Sequence, residues 1–268
     1  MAQRLPSRYE ESMHTPSPKT FLEFALDAVW QAGRITLGYF QAGVPVDRKV
    51  DNTPVTIADR QAEQRLRALI KQYWPEHGIV GEEFGREPTD SQYTWLIDPI
   101  DGTKSFVSGV PLYANLLALL DGDRAMLGII HLPALNETVY AIRGEGCYCN
   151  GRRAQVSRVE QLKDAVLLAS GLDGFGDKAT AWQRLCNATY IQRTWGDAYG
   201  YALVATGRAE IMLDPVVALW DCAPLQVILE EAGGTFTDWR GHATIHAGEG
   251  IATNGRLLQQ VLQTIAPA

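Results

Sequence analysis

The sequence predicts a mixed α/β (α+β) fold with two sheets, and two features of its patterning lead there. Strands are expected near 94–98, 112–121, 125–132 and 137–142. The last three are separated by Asp121-Gly122-Asp123 and Pro133-Ala134, which reads as an antiparallel meander. After Gly151 the pattern changes to strands at 166–169, 190–194, 209–213 and 235–237 alternating with helices at 179–187, 197–206 and 220–232, the rhythm of an α/β lobe. Ahead of both, a helix is expected from Thr20 to about Phe40, opened by the capping-box pattern Thr20-x-x-Glu23. A second runs from about Thr56 to Tyr73, with Leu66, Leu69, Ile70 and Tyr73 along one side. Residues 1–19 carry three prolines and several charges but no apolar block, so they read as a flexible arm, neither signal peptide nor membrane anchor.

Composition bounds the function classes. At 268 residues and 46% hydrophobic the chain can bury a core as one domain or as two closely fused lobes, approximately 20–151 and 152–268. The net charge of −7 argues against nonspecific nucleic-acid binding, and no cluster of basic and aromatic residues rescues that idea. The longest apolar stretch, Leu112 to Leu120, is half of what a membrane span needs. Cys147, Cys149, Cys186 and Cys222 lack zinc-ligand spacing and read as reduced packing residues of a cytoplasmic protein. His242 and His246 are four apart, but in a Gly-rich stretch that does not read as helix.

Chemistry concentrates in three distant segments. Thr94-Trp95-Leu96-Ile97 reads as a buried strand ending at Asp98-Pro99, where proline removes a donor and biases the preceding residue to extended geometry. Across the turn Asp98 and Asp101 can face one space, with the Ile100 carbonyl beside them, and hard cations such as Mg²⁺ take oxygen ligands of this kind. Gly102 allows close backbone approach, and Thr103 opens a short helix whose free N–H groups can accept phosphate. Gly81-Glu82-Glu83-Phe84-Gly85 follows a short Ile79-Val80 strand and sets Glu82 at another strand end; Asp221 lies in the first turn of the helix that ends at Gly233-Gly234. Each segment has a plainer reading, namely a helix cap at Asp98, a solvated Glu-Glu pair, or a helix-dipole partner at Asp221. Together they make a cluster that would repel itself without a cation.

GEEFG, WLIDPIDGTKSF and WDCAPLQVILEEAGG resemble the inositol monophosphatase family of magnesium-dependent, lithium-sensitive phosphatases, in the expected order from about Phe21 to about Leu257. The resemblance implies a layered αβαβα sandwich, one catalytic domain over 20–268, two or three Mg²⁺ ions and commonly a homodimer. It implies Glu82, Asp98, Asp101 and Asp221 as metal-ligating side chains, Ile100 as a carbonyl ligand, and the Gly102-Thr103 backbone as the phosphate holder. In similar phosphatases an aspartate and a threonine orient the attacking water; here these are Asp59 and Thr103, with Glu82 at the same reacting centre. Lys49 stands at nearly the family spacing, with no settled role.

The leaving group is expected to meet Asp197, which opens a helix closed by Gly207, and Asp214, seven residues before Asp221. An imidazole-bearing amino alcohol asks for carboxylates, whereas a polyol asks for neutral hydrogen-bonding groups. With DGTKSF, WGDAYGYALVATGRAE and LDPVVALWD, the chain is most similar to the histidinol-phosphatase branch of that family. This implies a small phosphate ester of histidine biosynthesis as substrate, hydrolysed by metal-activated water. Inositol 1-phosphate hydrolysis and 3′(2′),5′-bisphosphate nucleotidase activity are the alternatives within the class, and a non-enzymatic metal-binding protein is the alternative outside it.

Overall fold

Ser17 begins the first helix, and its side chain accepts the Thr20 N–H while Pro18 supplies a first residue whose φ is already helical. Helix α1 (Pro18–Tyr39) therefore starts two residues before the expected Thr20, and Thr20-x-x-Glu23 is not its cap. The computed structural model describes residues 17–172 and 174–266; most of the expected arm, residues 1–16, lies outside them.

A small antiparallel hairpin follows, β1 (Val46–Arg48) with β2 (Pro54–Thr56), and runs into helix α2 (Ile57–Tyr73). The first sheet has eight strands: β3 (Gly78–Gly81), β4 (Gly85–Glu87), β5 (Tyr93–Asp101), β6 (Ala114–Asp121), β7 (Arg124–Leu132), β8 (Glu137–Ile142), β9 (Gly146–Cys149) and β10 (Arg152–Arg153). Their order is β10-β9-β8-β7-β6-β5-β3-β4, and the short helix α3 (Thr103–Val107) leaves β5. The expected meander is β6-β7-β8, antiparallel throughout.

The second sheet alternates strand and helix as expected: β11 (Val166–Ala169), α4 (Ala179–Ala188), β12 (Ile191–Arg193), α5 (Ala198–Ala205), β13 (Ile211–Asp214), α6 (Leu219–Glu231) and β14 (Thr235–Thr237). In this lobe two elements were not anticipated, β15 (Gly250–Thr253) and α7 (Leu258–Ile265), as β1, β2, β4, β9 and β10 were not in the first. The order is β12-β11-β13-β15-β14, with β11 parallel to both neighbours and β15 antiparallel to both of its own. The sheet is therefore mixed, because β15 enters from a Gly-rich stretch rather than through a crossover helix.

Three apolar clusters stack these elements into five layers. Helices α1 and α2 cover one face of the first sheet through Phe24, Leu66, Trp95 and Ile129. The other face meets α5 and α6, which also cover the second sheet through Leu116, Tyr201, Ile228 and Met212. Helices α4 and α7 close the far side through Leu185, Leu213 and Val261. The result is an αβαβα sandwich. Helix α6 is buried from Cys222 to Leu229, as expected of a helix with a sheet on each side.

That helix can lie this close because β7 carries Gly128 beneath it: a Cβ there would stand 2.5 Å from the Pro224 carbonyl oxygen and 2.6 Å from Val227 Cγ1. Gly128→Ala is expected to lower the unfolding free energy by about 1–3 kcal/mol by overpacking, read from the urea midpoint at unchanged slope. An unmoved midpoint would show that α6 can retreat without cost.

Candidate active site

The site begins with a break in a ladder. Strand β5 pairs with β6 at Asp98↔Leu116 and again at Asp101↔Ala114, so Pro99 and Ile100 oppose the single residue Asn115. Proline has no N–H to lose at such a bulge. The buried Asn115 amide donates to the Pro99 carbonyl, and Asp98 Oδ1 accepts the Ile100 N–H at 2.9 Å. After Asp101, Gly102 turns the chain at φ +81°, in the left-handed region, and α3 starts.

From the opposite side, α6 presents Asp221 in its first turn. Asp221 Oδ2 accepts the Ala218 N–H at 2.9 Å, while Oδ1 is buried without a protein partner. Asp101 is held differently, its Oδ2 accepting the Ala198 N–H at the start of α5. Carboxylate oxygens of Asp98, Asp101 and Asp221 all lie within 4.8 Å of one another. Burial raises Asp98 and Asp101 well above the usual carboxylate range, and neighbouring carboxylates push the same way: Glu82, Asp221 and Asp101 on Asp98, and Asp197 first on Asp101. Asp221 is pushed up to about 7, again chiefly by burial. A dication suits this donor set, because it meets three hard anionic oxygens and supplies a partner for the orphaned Asp221 Oδ1.

Glu82 faces the same cavity at the end of β3, where its Oε1 receives Lys49 Nζ at 2.6 Å; Lys49 also reaches Glu83 Oε1 at 2.6 Å. Burial alone would lower the Lys49 pKa, but hydrogen bonds to these two glutamates raise it, so the ammonium stays charged.

One cavity of about 520 Å³ is lined by Glu82, Asp98, Ile100, Asp101, Gly102, Thr103, Asp197, Asp214 and Asp221. Asp59 stands behind that wall. Its Oδ2 accepts the Thr56 N–H at 2.8 Å and the Thr56 hydroxyl at 2.6 Å, and its Oδ1 lies 3.3 Å from Thr103 Oγ1. The same Thr103 hydroxyl meets the Ile100 carbonyl at 2.9 Å, so one proton serves two acceptors there. Burial raises the Asp59 pKa.

Asp197 does not cap α5 with its side chain, contrary to the plain reading of a helix-opening aspartate. It adopts φ +52°, ψ −154°, costly for a residue with a Cβ. Its carboxylate lies against the Gly102 turn, where a Cβ on Gly102 would stand 2.8 Å from Asp197 Oδ2. Burial lifts Asp197 to about 6 and Asp214 to about 7. Asp214 is anchored at both oxygens, by the Ser170 N–H at 3.1 Å and the Tyr201 hydroxyl at 2.9 Å.

Ser170 escaped the sequence reading, although it follows β11 and its Oγ accepts the Asp197 N–H at 2.8 Å. A polar residue directly after a buried strand, followed by Gly171, was the signal available. His242 and His246 do not share a site; they pair with Asp238 and Asp123 respectively. The four cysteines are free thiols.

A layered αβαβα sandwich with a carboxylate cluster at a bulged strand end, beside a glycine turn that opens a helix, defines a metal-dependent phosphatase. The chain belongs to the inositol monophosphatase family, whose model matches residues 17–267. It is 41% identical over 235 residues to the histidinol-phosphatase of Chlorobaculum parvum, covering 87% of this chain and 91% of that protein. The histidinol-phosphatase of Mycobacterium tuberculosis is 38% identical over 249 residues, with 90% and 96% covered. Among solved structures, the Thermotoga maritima IMPase superposes with a TM-score of 0.86 at 31% identity, covering 92% of this chain and 96% of that one.

The raised carboxylates make a signed prediction. Each contributes stability that is fully present below its ordinary value of 3.8 and lost as pH rises through its folded value, about 7 for Asp221 and Asp214. In chelator, the melting temperature should therefore fall between pH 4 and pH 8, about the limits of that titration window. Added Mg²⁺ should restore it at the upper end and do little at the lower. A cation effect of equal size at both ends would contradict the assignment of this cluster as the binding site.

Proposed function

We propose that this protein is a Mg²⁺-dependent phosphate monoester hydrolase whose substrate is histidinol phosphate, in the histidine biosynthesis of the cytoplasm. Asp197 carries the substrate assignment: it is held in an unfavourable backbone conformation, spends its side chain on no helix cap, and lines the cavity beside the phosphate turn. With Asp214 behind it, the cavity offers two carboxyl groups beside Lys104, and a carboxylate there is the complement of an ammonium or an imidazolium. The names of the two bacterial relatives support the same reading.

Asp98, Asp101, Asp221, Glu82 and the Ile100 carbonyl are the ligands for two or three Mg²⁺ ions. When bound, these ions lower the pKa of water and neutralise charge growing on the phosphoryl oxygens. The chain's own groups do the rest. Asp59 Oδ1 and the Thr103 hydroxyl orient the attacking water, and the Gly102 and Thr103 N–H groups hold a phosphoryl oxygen at the start of α3. Asp197 and Asp214 fix the alcohol so that the leaving oxygen stands opposite the water. The attack is direct, with no phosphoenzyme: neither a cysteine nor a histidine is among the described residues that line the cavity.

Residues 20–151 and 152–268 act as one catalytic domain, since Glu82 and Asp98 come from the first span and Asp197, Asp214 and Asp221 from the second. The working form is a homodimer. No helix among the described residues is long and apolar enough to cross a membrane. Inositol 1-phosphate hydrolysis is the second reading, supported by the likeness to the Thermotoga IMPase.

A side-by-side assay decides between them: kcat/KM for histidinol phosphate should exceed that for inositol 1-phosphate, and the reverse order replaces the substrate while leaving the phosphatase in place. Asp197→Asn should lower kcat/KM for histidinol phosphate about ten- to a hundredfold, the loss of a contact worth about 1.5–3 kcal/mol. Turnover of glycerol 2-phosphate should barely change, and equal losses on both esters would assign Asp197 to the fold or the metals. Asp59→Asn should depress kcat far more than it raises KM, as for an interaction used mainly in the transition state.

A further inference from the structure

Helix α2 carries Asp59, Glu63, Arg67 and Lys71 at intervals of four, so they form one line along the helix, acidic toward its N-terminus and basic toward its C-terminus. The two middle members are buried, Glu63 at 0% exposure and Arg67 at 6%. They do not pair only with each other. Glu63 Oε1 accepts Arg67 Nε at 2.7 Å and the Phe84 N–H at 3.2 Å, while Oε2 accepts the Glu83 N–H at 2.7 Å. Arg67 in turn donates to the Gly85 carbonyl and, at 2.8 Å, to Glu87 Oε1. The turn Gly81-Glu82-Glu83-Phe84-Gly85 is thus wrapped around one buried ion pair, which takes two of its N–H groups and one of its carbonyls.

The glycines of that turn fit this arrangement. A Cβ on Gly81 would stand 2.1 Å from Glu63 Oε1, so the carboxylate reaches the turn only because that position is glycine. Gly85 sits at φ +67°, which returns the chain into β4. On its other side Glu82 is tied to β5, its N–H meeting the Ile97 carbonyl at 3.2 Å. A buried ion pair is expensive and is often replaceable by apolar residues without loss of stability. Its retention here has a local use, because it fixes the backbone on either side of Glu82.

We infer that Glu63, braced by Arg67, is a positioning residue for Glu82: it holds the turn so that the Glu82 carboxylate points into the cavity toward Asp98 and Asp221. Asp59 lies one turn earlier on α2, so a single rigid helix sets both the water-orienting group and the one glutamate of the site. Glu63 itself is not among the residues that line the cavity. The inference rests on the proposed role of Glu82 as a metal ligand.

Calorimetric titration of Mg²⁺ into the chelator-treated full chain tests it, alongside urea denaturation and the Mg²⁺ dependence of phosphate release. Glu63→Gln should weaken Mg²⁺ binding about ten- to a hundredfold, the usual cost of removing a group that orients a ligand. Its kcat should return close to the wild-type value once Mg²⁺ is raised to match. Arg67→Lys, which keeps the charge but loses the fork, should shift binding the same way by less and decides the matter if Glu63→Gln does not fold. A folded variant with a lowered urea midpoint and wild-type Mg²⁺ affinity would overturn the inference, leaving Glu63 a stability residue. Glu82→Gln is the control: if it leaves Mg²⁺ affinity unchanged, the ligand role of Glu82 and the inference fall together. If Glu82→Gln weakens binding and the Glu63 and Arg67 variants do not, only the inference falls.

Discussion

Mutual repulsion among buried carboxylates is the constraint around which this molecule is built. Asp98 and Asp101 from β5 and Asp221 from α6 are drawn into a space where solvent screens them poorly, and Asp197 and Asp214 stand in the same cavity. Most of them are restrained in one way: an oxygen accepts a backbone N–H, from Ile100 for Asp98, Ala198 for Asp101, Ala218 for Asp221 and Ser170 for Asp214. Such charge-assisted bonds are short and directional, so they fix where the remaining oxygen of Asp98, Asp101 and Asp221 points. The anchoring donors are main-chain groups of rigid elements, which cannot turn away as a side chain could.

Those donors require the two sheets to meet at a defined distance, and the central helices set it. Helix α6 reaches β7 over Gly128, and α5 reaches β13 through Gly200, where a Cβ would stand 2.6 Å from Met212 Sδ. Asp221 and the Ala198 N–H both belong to the first turns of these helices. Packing of the central layer and the geometry of the site are therefore one arrangement.

What was legible in the sequence follows from how local each signal is. The turn Asp98-Pro99-Ile100-Asp101-Gly102-Thr103 could be read because proline, glycine and the strand before them act within a few residues, and the meander could be read because its turns are short. Asp197 was found as a residue but not as a conformation: nothing local announces a positive φ in an aspartate, and the partner that stabilises it, Ser170, is 27 residues away. The helix start at Ser17 was missed because Thr20-x-x-Glu23 offered a competing cap of the ordinary form, whereas Ser17-Pro18 is the one used. Glu63 was overlooked because α2 was read by its apolar side, and its charged line makes contact with a turn 20 residues on. The strand β15 finds its neighbours β13 and β14 only in three dimensions.

The bond from the Ala198 N–H to Asp101 has a bearing on how relatives of this chain could diverge. Asp197, proposed above to meet the alcohol, is directly joined to the donor that holds Asp101 of the carboxylate cluster. Changing the side chain at 197 leaves that donor in place, so alternative alcohols can be explored by substitution. Inserting or deleting residues between Gly196 and Ala198 moves the amide itself and loosens Asp101. New selectivity is thus open to this scaffold by exchange of side chains and closed to it by changes in loop length, an asymmetry that an engineer could exploit.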